Sequence, residues 1–230
     1  MPMKYSGTLR FFLVLLLSVA SLAAVAATGV TESATPVVQT DQLTRQLPFN
    51  PDIRSGRLRN GLEYFVLHHP HPQDSVTLRL IVDAGSILET DSQAGLAHFV
   101  EHMAFNGTAE FDENELVAYL EQLGIQFGPD VNAYTSFDET VYKLDIPAEE
   151  EETLHTGFRV MEQWARAISF DRDALDRERG VLVEEWRRGQ NASQRILRRH
   201  IPVLLADSRY AERLPIGDMD IVRNAPREEF

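Results

Sequence analysis

The chain has 230 residues, with 22 Lys and Arg against 35 Asp and Glu and a formal net charge of −13 at pH 7. Such an acidic chain argues against nucleic acid as a partner, because a phosphate backbone needs a basic surface. There is no cysteine, which excludes both a disulfide framework and a lipid-bearing amino-terminal cysteine.

Residues 1–27 carry Lys4 and Arg10, then an apolar run from Phe11 that ends in Ala24-Val25-Ala26-Ala27. This is the three-part form of a secretory signal peptide, with small residues marking a cleavage site near Ala26 or Ala27. The run is short for a membrane span. Export to the periplasm is therefore expected, with membrane attachment only if this segment is retained. Residues 28–51 are rich in Thr, Ser, Gln and Pro and read as a flexible linker. Residues 52–230 are long enough for one domain with a core.

Asn60-Gly61 marks a tight turn ahead of a strand over 62–67. His68-His69-Pro70-His71-Pro72 brings three imidazoles close together, but its prolines forbid a helix and no carboxylate lies among them, so it reads as a solvated loop. A strand over 75–82 places Val76, Leu78, Leu80 and Val82 on one face. A helix follows, capped by Asp91 or Ser92 and stopped by Asn106-Gly107. Its Leu96, Phe99, Val100 and Met103 recur at helical spacing as an apolar stripe, with His98, Glu101 and His102 clustered on roughly the opposite side.

Asp112 and Glu115 form a capping box for a second helix that buries Leu116, Leu120 and Leu123 and stops at Gly124. Strands over 126–136 and 139–146 join around Phe137-Asp138, the second with Thr140, Tyr142, Leu144 and Ile146 on one face. An amphipathic helix over 149–168 is expected to bury Leu154, Phe158, Met161 and Ile168. Asp171 opens a last long helix that runs beyond Trp186, and 214–230 reads as irregular. Strands and helices mix without regular βαβ alternation, so the fold class is α+β.

The order His98-Phe99-Val100-Glu101-His102 is an H-x-x-E-H motif. Two imidazoles one turn apart can hold a single ion, and neutral imidazoles suit zinc. Glu101 lies beside them, where it could take a proton from a water activated by that ion. The alternative is a helix that merely carries polar residues on its solvent face, and a third ligand decides between the two. Glu178 and Glu185 are seven residues apart on the last helix, close to two turns, and project from one face, while Glu184 points about 100° away. Two His and one carboxylate, with the fourth position left to water, is the ligand set of a catalytic zinc site. A second carboxylate nearby can orient a ligating histidine through its free N–H. A structural ion would need a fourth protein ligand, but His155, His200 and the His68 to His71 loop do not lie at helical spacing from the motif. Asn106-Gly107-Thr108 and Asn191-Ala192-Ser193 match the glycosylation sequon, and the first is discounted as the helix stop beside the site.

Three separated motifs carry a resemblance: Gly95-Leu96-Ala97-His98-Phe99-Val100-Glu101-His102-Met103-Ala104-Phe105-Asn106-Gly107-Thr108, then Val131-Asn132-Ala133-Tyr134-Thr135-Ser136, then Glu178-Arg179 with Glu185. Together they resemble the pitrilysin/insulinase family of zinc peptidases, in particular its exported bacterial branch. The resemblance implies a mixed, mainly antiparallel sheet with helices packed on one face. It also implies one Zn2+ held by His98, His102 and Glu185, with Glu101 as general base and Glu178 as the carboxylate behind a ligand. Asn132, Ala133 and Tyr134 match the family's edge strand, which pairs with an extended peptide substrate. Family members are built from halves that close on each other, and this chain covers at best the greater part of one. A zinc metalloendopeptidase is therefore expected, with the alternative of a non-catalytic peptide-binding piece that needs a carboxyl-terminal half or a partner subunit for activity.

Overall fold

The computed structural model describes residues 48–230 apart from 113, 114, 148 and 149. The expected signal peptide and most of the expected linker lie outside the described residues. The chain divides between His68 and His69 into two compact units.

The described part of the first unit is an antiparallel hairpin of β1 (Ile53–Arg57) and β2 (Glu63–Leu67), with Ile53 opposite Leu67 and Arg57 opposite Glu63. Gly61, at φ +93°, makes the turn that Asn60-Gly61 leads one to expect. The first strand was not anticipated. Its sequence, Ile-Arg-Ser-Gly-Arg, has no alternation, and it is held by main-chain pairing, which is blind to side-chain pattern.

The second unit contains, in chain order, β3 (Ser75–Val82), α1 (Leu96–Met103), α2 (Glu115–Gln122), β4 (Val131–Thr135), β5 (Thr140–Pro147), α3 (Glu151–Arg166), α4 (Arg172–Arg188), α5 (Ala192–Leu204) and α6 (Met219–Asn224). Its sheet is antiparallel with order β3-β5-β4, and it pairs Leu78 with Leu144 and Leu80 with Tyr142. The mixed α+β fold with an antiparallel sheet is as expected. Tyr142, Leu144 and Ile146 of the central strand are buried, as their alternation requires. β4 is shorter than the expected strand over 126–136. Gly128, at φ +98°, and Asp130, whose Oδ2 accepts from Gln126 N at 2.8 Å, turn the chain first. No helix among the described residues is long and apolar enough to cross a membrane.

Helix α3 corrects an expectation. It buries Thr153, Thr156, Gly157, Val160, Gln163 and Trp164, while Phe158 is 56% exposed. The reason is close approach: a Cβ on Gly157 would lie 2.7 Å from Ile146 Cδ1 and 2.9 Å from Leu78 Cδ1. The helix docks on the sheet through its smallest residue, and that turns the bulkier Phe158 outward. The expected first residue, Glu149, lies outside the described residues.

Asp171 caps α4 as expected, accepting from Asp173 N at 2.9 Å and Ala174 N at 3.1 Å. The long helix runs beyond Trp186, as expected, to Arg188, but it is not the last, because Asn191 caps a separate α5. Residues 214–230 are not irregular throughout, because Asp218 caps α6, a helix too short to show a period.

Two apolar clusters meet at α1. One contains Leu116, Leu120, Val131, Leu144, Val160 and Trp164, and the other Phe99, Met103, Leu175, Leu182 and Val222. The expected stripe is where α1 joins the second cluster, since Phe99 and Met103 are wholly buried. Ala104, the next residue, belongs to the first cluster, and its carbonyl accepts from Trp164 Nε1 at 3.0 Å. Packing on both sides of α1 thus fixes the polar side chains that it presents.

Candidate metal centre

The start of α1 differs from expectation. Asp91 and Ser92 lie in a separate 3₁₀ turn capped by Thr90, and α1 begins only after Gly95, at φ +103°. Its exposed amides are met from upstream: Glu89 Oε2 accepts from Gly95 N at 3.0 Å and Oε1 from Ala97 N at 2.8 Å. Burial pushes the Glu89 carboxyl up, against the pull of those amides. No local capping pattern signals Glu89, because its reach of six and eight residues lies outside the usual box. The same end is pinned by Asp218 N donating to Ala94 O at 3.1 Å, across a close approach of Gly217 to Gly95.

From this helix His98 and His102 point together, with their Nε2 atoms 3.3 Å apart. Glu185 on α4 completes the group, its Oε2 lying 3.6 Å from His98 Nε2 and 3.4 Å from His102 Nε2. Four donors around a zinc ion with bonds of 2.0–2.1 Å stand about 3.3–3.5 Å apart, so this triangle has the dimensions of one face of such a tetrahedron. The donor set fits a zinc ion, and the Glu185 side chain is 49% exposed to solvent. Among the described residues, none offers a hydrogen-bond partner to the buried His98 Nδ1.

Burial and the neighbouring His102 lower the His98 pKa to about 4. Burial opposes a charge on His102 as well, but hydrogen bonds to Glu178 and Glu185 outweigh it and raise that pKa to about 9. Behind the pair, Glu178 Oε1 meets His102 Nδ1 at 2.7 Å and Oε2 accepts from Asn106 Nδ2 at 2.8 Å. Burial works against the Glu178 carboxylate, but these hydrogen bonds hold its pKa below the ordinary value. Hydrogen bonding to His102 likewise lowers Glu185. Glu178 and Glu185 therefore share a face of α4 as their spacing demands. Glu184 turns aside and pairs with Arg187 at 2.6 Å.

Glu101 is buried, and its Oε2 accepts from Thr135 Oγ1 at 2.7 Å. Burial pushes its pKa up, opposed by that hydrogen bond. Thr135 stood in the second motif without a role of its own. It ends β4, the strand that carries Asn132, Ala133 and Tyr134. Ser136 N donates to Glu139 O at 2.8 Å, which sets the hydrogen-bonded pairs at Tyr134 with Val141 and Asn132 with Lys143. The N–H and C=O of Ala133 then project from the opposite edge, which pairs with no strand among the described residues. Asn132 Oδ1 accepts from that N–H at 2.9 Å. His155 stays apart, exposed beside Glu151.

A family model described as Insulinase (Peptidase family M16) matches residues 64–209. The chain is 46% identical over 177 residues to the probable zinc protease PqqL of Haemophilus influenzae, covering 77% of this chain and 19% of that protein. To the probable zinc protease PqqL of Escherichia coli it is 44% identical over 176 residues, covering 76% and 19%. The crystal structure of the first half of the periplasmic protease PqqL from Escherichia coli superposes with a TM-score of 0.77 at 42% identity, covering 80% of this chain and 39% of that one. The chain spans about a fifth of the length of these curated relatives.

Proposed function

The chain belongs to the insulinase family, peptidase family M16, and on that premise we propose that it carries the zinc-binding half-site of a metalloendopeptidase. The observation that carries the reading is the triangle of His98 Nε2, His102 Nε2 and Glu185 Oε2, with edges of 3.3, 3.6 and 3.4 Å. These three side chains would hold the ion. When bound, zinc supplies a Lewis acid that polarises the scissile carbonyl and brings the acidity of a water towards neutrality. Glu101 accepts the proton of the attacking water and passes it to the leaving amine nitrogen. Thr135 occupies Glu101 Oε2, which leaves Oε1 for that proton. Glu178 keeps the proton of His102 on Nδ1, so the Nε2 lone pair is the one presented to the ion. The peptide lies as an added strand along β4, pairing with the main chain of Ala133 after displacing Asn132 Oδ1 from its N–H, while the side chains of Asn132 and Tyr134 shape the adjoining subsites.

Because the chain spans about a fifth of its relatives, turnover is assigned to it together with a carboxyl-terminal half or a partner subunit. Alone it binds zinc and peptide. A periplasmic location is supported by residues 1–27, which read as a signal peptide, and by the similarity to the periplasmic protease PqqL from Escherichia coli.

The test uses Glu101→Gln and His98→Ala, each combined with the carboxyl-terminal half, on a labelled unfolded peptide. Glu101→Gln retains one zinc per chain and loses about 10²–10⁴-fold in cleavage rate, and His98→Ala loses the zinc. Normal cleavage by Glu101→Gln refutes the mechanism, and zinc retained by His98→Ala refutes the site.

A further inference from the structure

Asn106 enters the sequence as a helix stop and a sequon, and neither describes its side chain. Nδ2 donates one hydrogen to Glu178 Oε2 at 2.8 Å and the other to the main-chain oxygen of His102 at 3.2 Å. Glu178 Oε1 in turn meets His102 Nδ1 at 2.7 Å. The three residues close a ring that leaves from the imidazole of His102 and returns to its own backbone. The helix end does not depend on this amide, because the His102 carbonyl already accepts from Phe105 N at 3.1 Å. Asn106 N, which any residue here would retain, donates to Met103 O at 3.0 Å. The distinctive contribution of the side chain is its bond to Glu178.

A carboxylate held by one oxygen pivots about it, whereas one held at both oxygens has its plane fixed. We infer that Asn106 is a positioning residue for the metal ligand His102: it fixes the plane of Glu178, and Glu178 fixes the ring whose Nε2 completes the donor triangle. This rests on the reading of His98, His102 and Glu185 as a zinc site. Outer partners of a metal-bound histidine are worth about 10–100-fold in metal affinity, and Asn106, one bond further out, falls at the low end of that range.

The experiment is a zinc titration of the 230-residue chain against a chromophoric chelator, together with the unfolding midpoint of each metal-free variant. Asn106→Leu weakens zinc binding about tenfold. In a Glu178→Ala background the same substitution changes affinity less than about twofold, because the partner through which it acts is gone. Asn106→Asp, similar in shape but carrying a carboxylate against Glu178, loses at least as much as Asn106→Leu and serves if the leucine variant does not fold. Unchanged affinity in both variants overturns the inference, and so does an equal loss with and without Glu178, which marks a merely structural role. A wild-type chain that takes up no zinc refutes the underlying site, a result distinct from either.

Discussion

Replacing Gly217 by alanine should destabilise the metal-free chain by about 2–5 kcal/mol, combining a left-handed backbone term with overpacking. Gly217 sits at φ +70°, where a residue with a Cβ costs about 1–2 kcal/mol. Its Cβ would also stand 2.2 Å from Gly95 Cα, 2.5 Å from Gly95 N and 2.6 Å from Ala94 O. All three atoms are backbone, so no rotamer relieves the clash, and overpacking adds about 1–3 kcal/mol. Gly124 supplies the control: it has φ +81° and, among the described residues, nothing within 4 Å of an added Cβ, so Gly124→Ala meets the first term alone. At about 2–4 °C per kcal/mol for a chain of this size, Gly217→Ala lowers the melting temperature by about 4–20 °C and Gly124→Ala by about 2–8 °C. Thermal unfolding followed by circular dichroism measures both. Because Gly95 opens α1, the Gly217 variant should also bind zinc more weakly. Equal melting temperatures for the two variants would refute the argument that close backbone contact anchors the site helix.

Zinc at about 100 times its dissociation constant should stabilise the chain by about 2.7 kcal/mol, a gain that a chelator or His98→Ala removes; a melting temperature indifferent to zinc contradicts this. Trp164→Phe deletes the donor to Ala104 O and should cost about 1–3 kcal/mol in a urea titration, whereas a cost below about 0.5 kcal/mol counts against the bond. Backbone hydrogen bonds from Ala174 and Asp173 lower the Asp171 pKa. Its contribution is therefore present above the unfolded carboxylate value and is lost as pH falls through the lowered one. Asp171→Asn keeps an acceptor without the titration, so the acid limb of stability against pH should be shallower than in the wild type, and identical limbs would refute the assignment.

The site was legible where helical geometry alone decides position. Residues i and i+4 of α1 must share a face, as must residues seven apart on α4, so His98 with His102 and Glu178 with Glu185 could be paired before any fold was known, whereas the roles of Glu185 as ligand and Glu178 as the carboxylate behind it came from the family resemblance. Long-range partners were not legible. Glu89 reaches forward to cap α1, Thr135 reaches Glu101 across 34 positions, and Asn106 reaches Glu178 across 72. Each depends on tertiary packing that leaves no period. The rotation of α3 shows the same limit, because hydrophobicity favoured burial of Phe158 while the approach of Gly157 to Ile146 and Leu78 prevailed. Strand β1 and helix α6 were missed for lack of length or alternation.

The central claim is that two imidazoles and one carboxylate from two helices share a zinc ion. X-ray absorption at the zinc edge of the loaded chain tests it most directly. The account predicts one zinc with two imidazole nitrogens at about 2.0–2.1 Å and carboxylate and water oxygens completing four-coordination, with one imidazole missing in His102→Ala. A zinc surrounded only by oxygen, or a spectrum unaltered by His102→Ala, would contradict it.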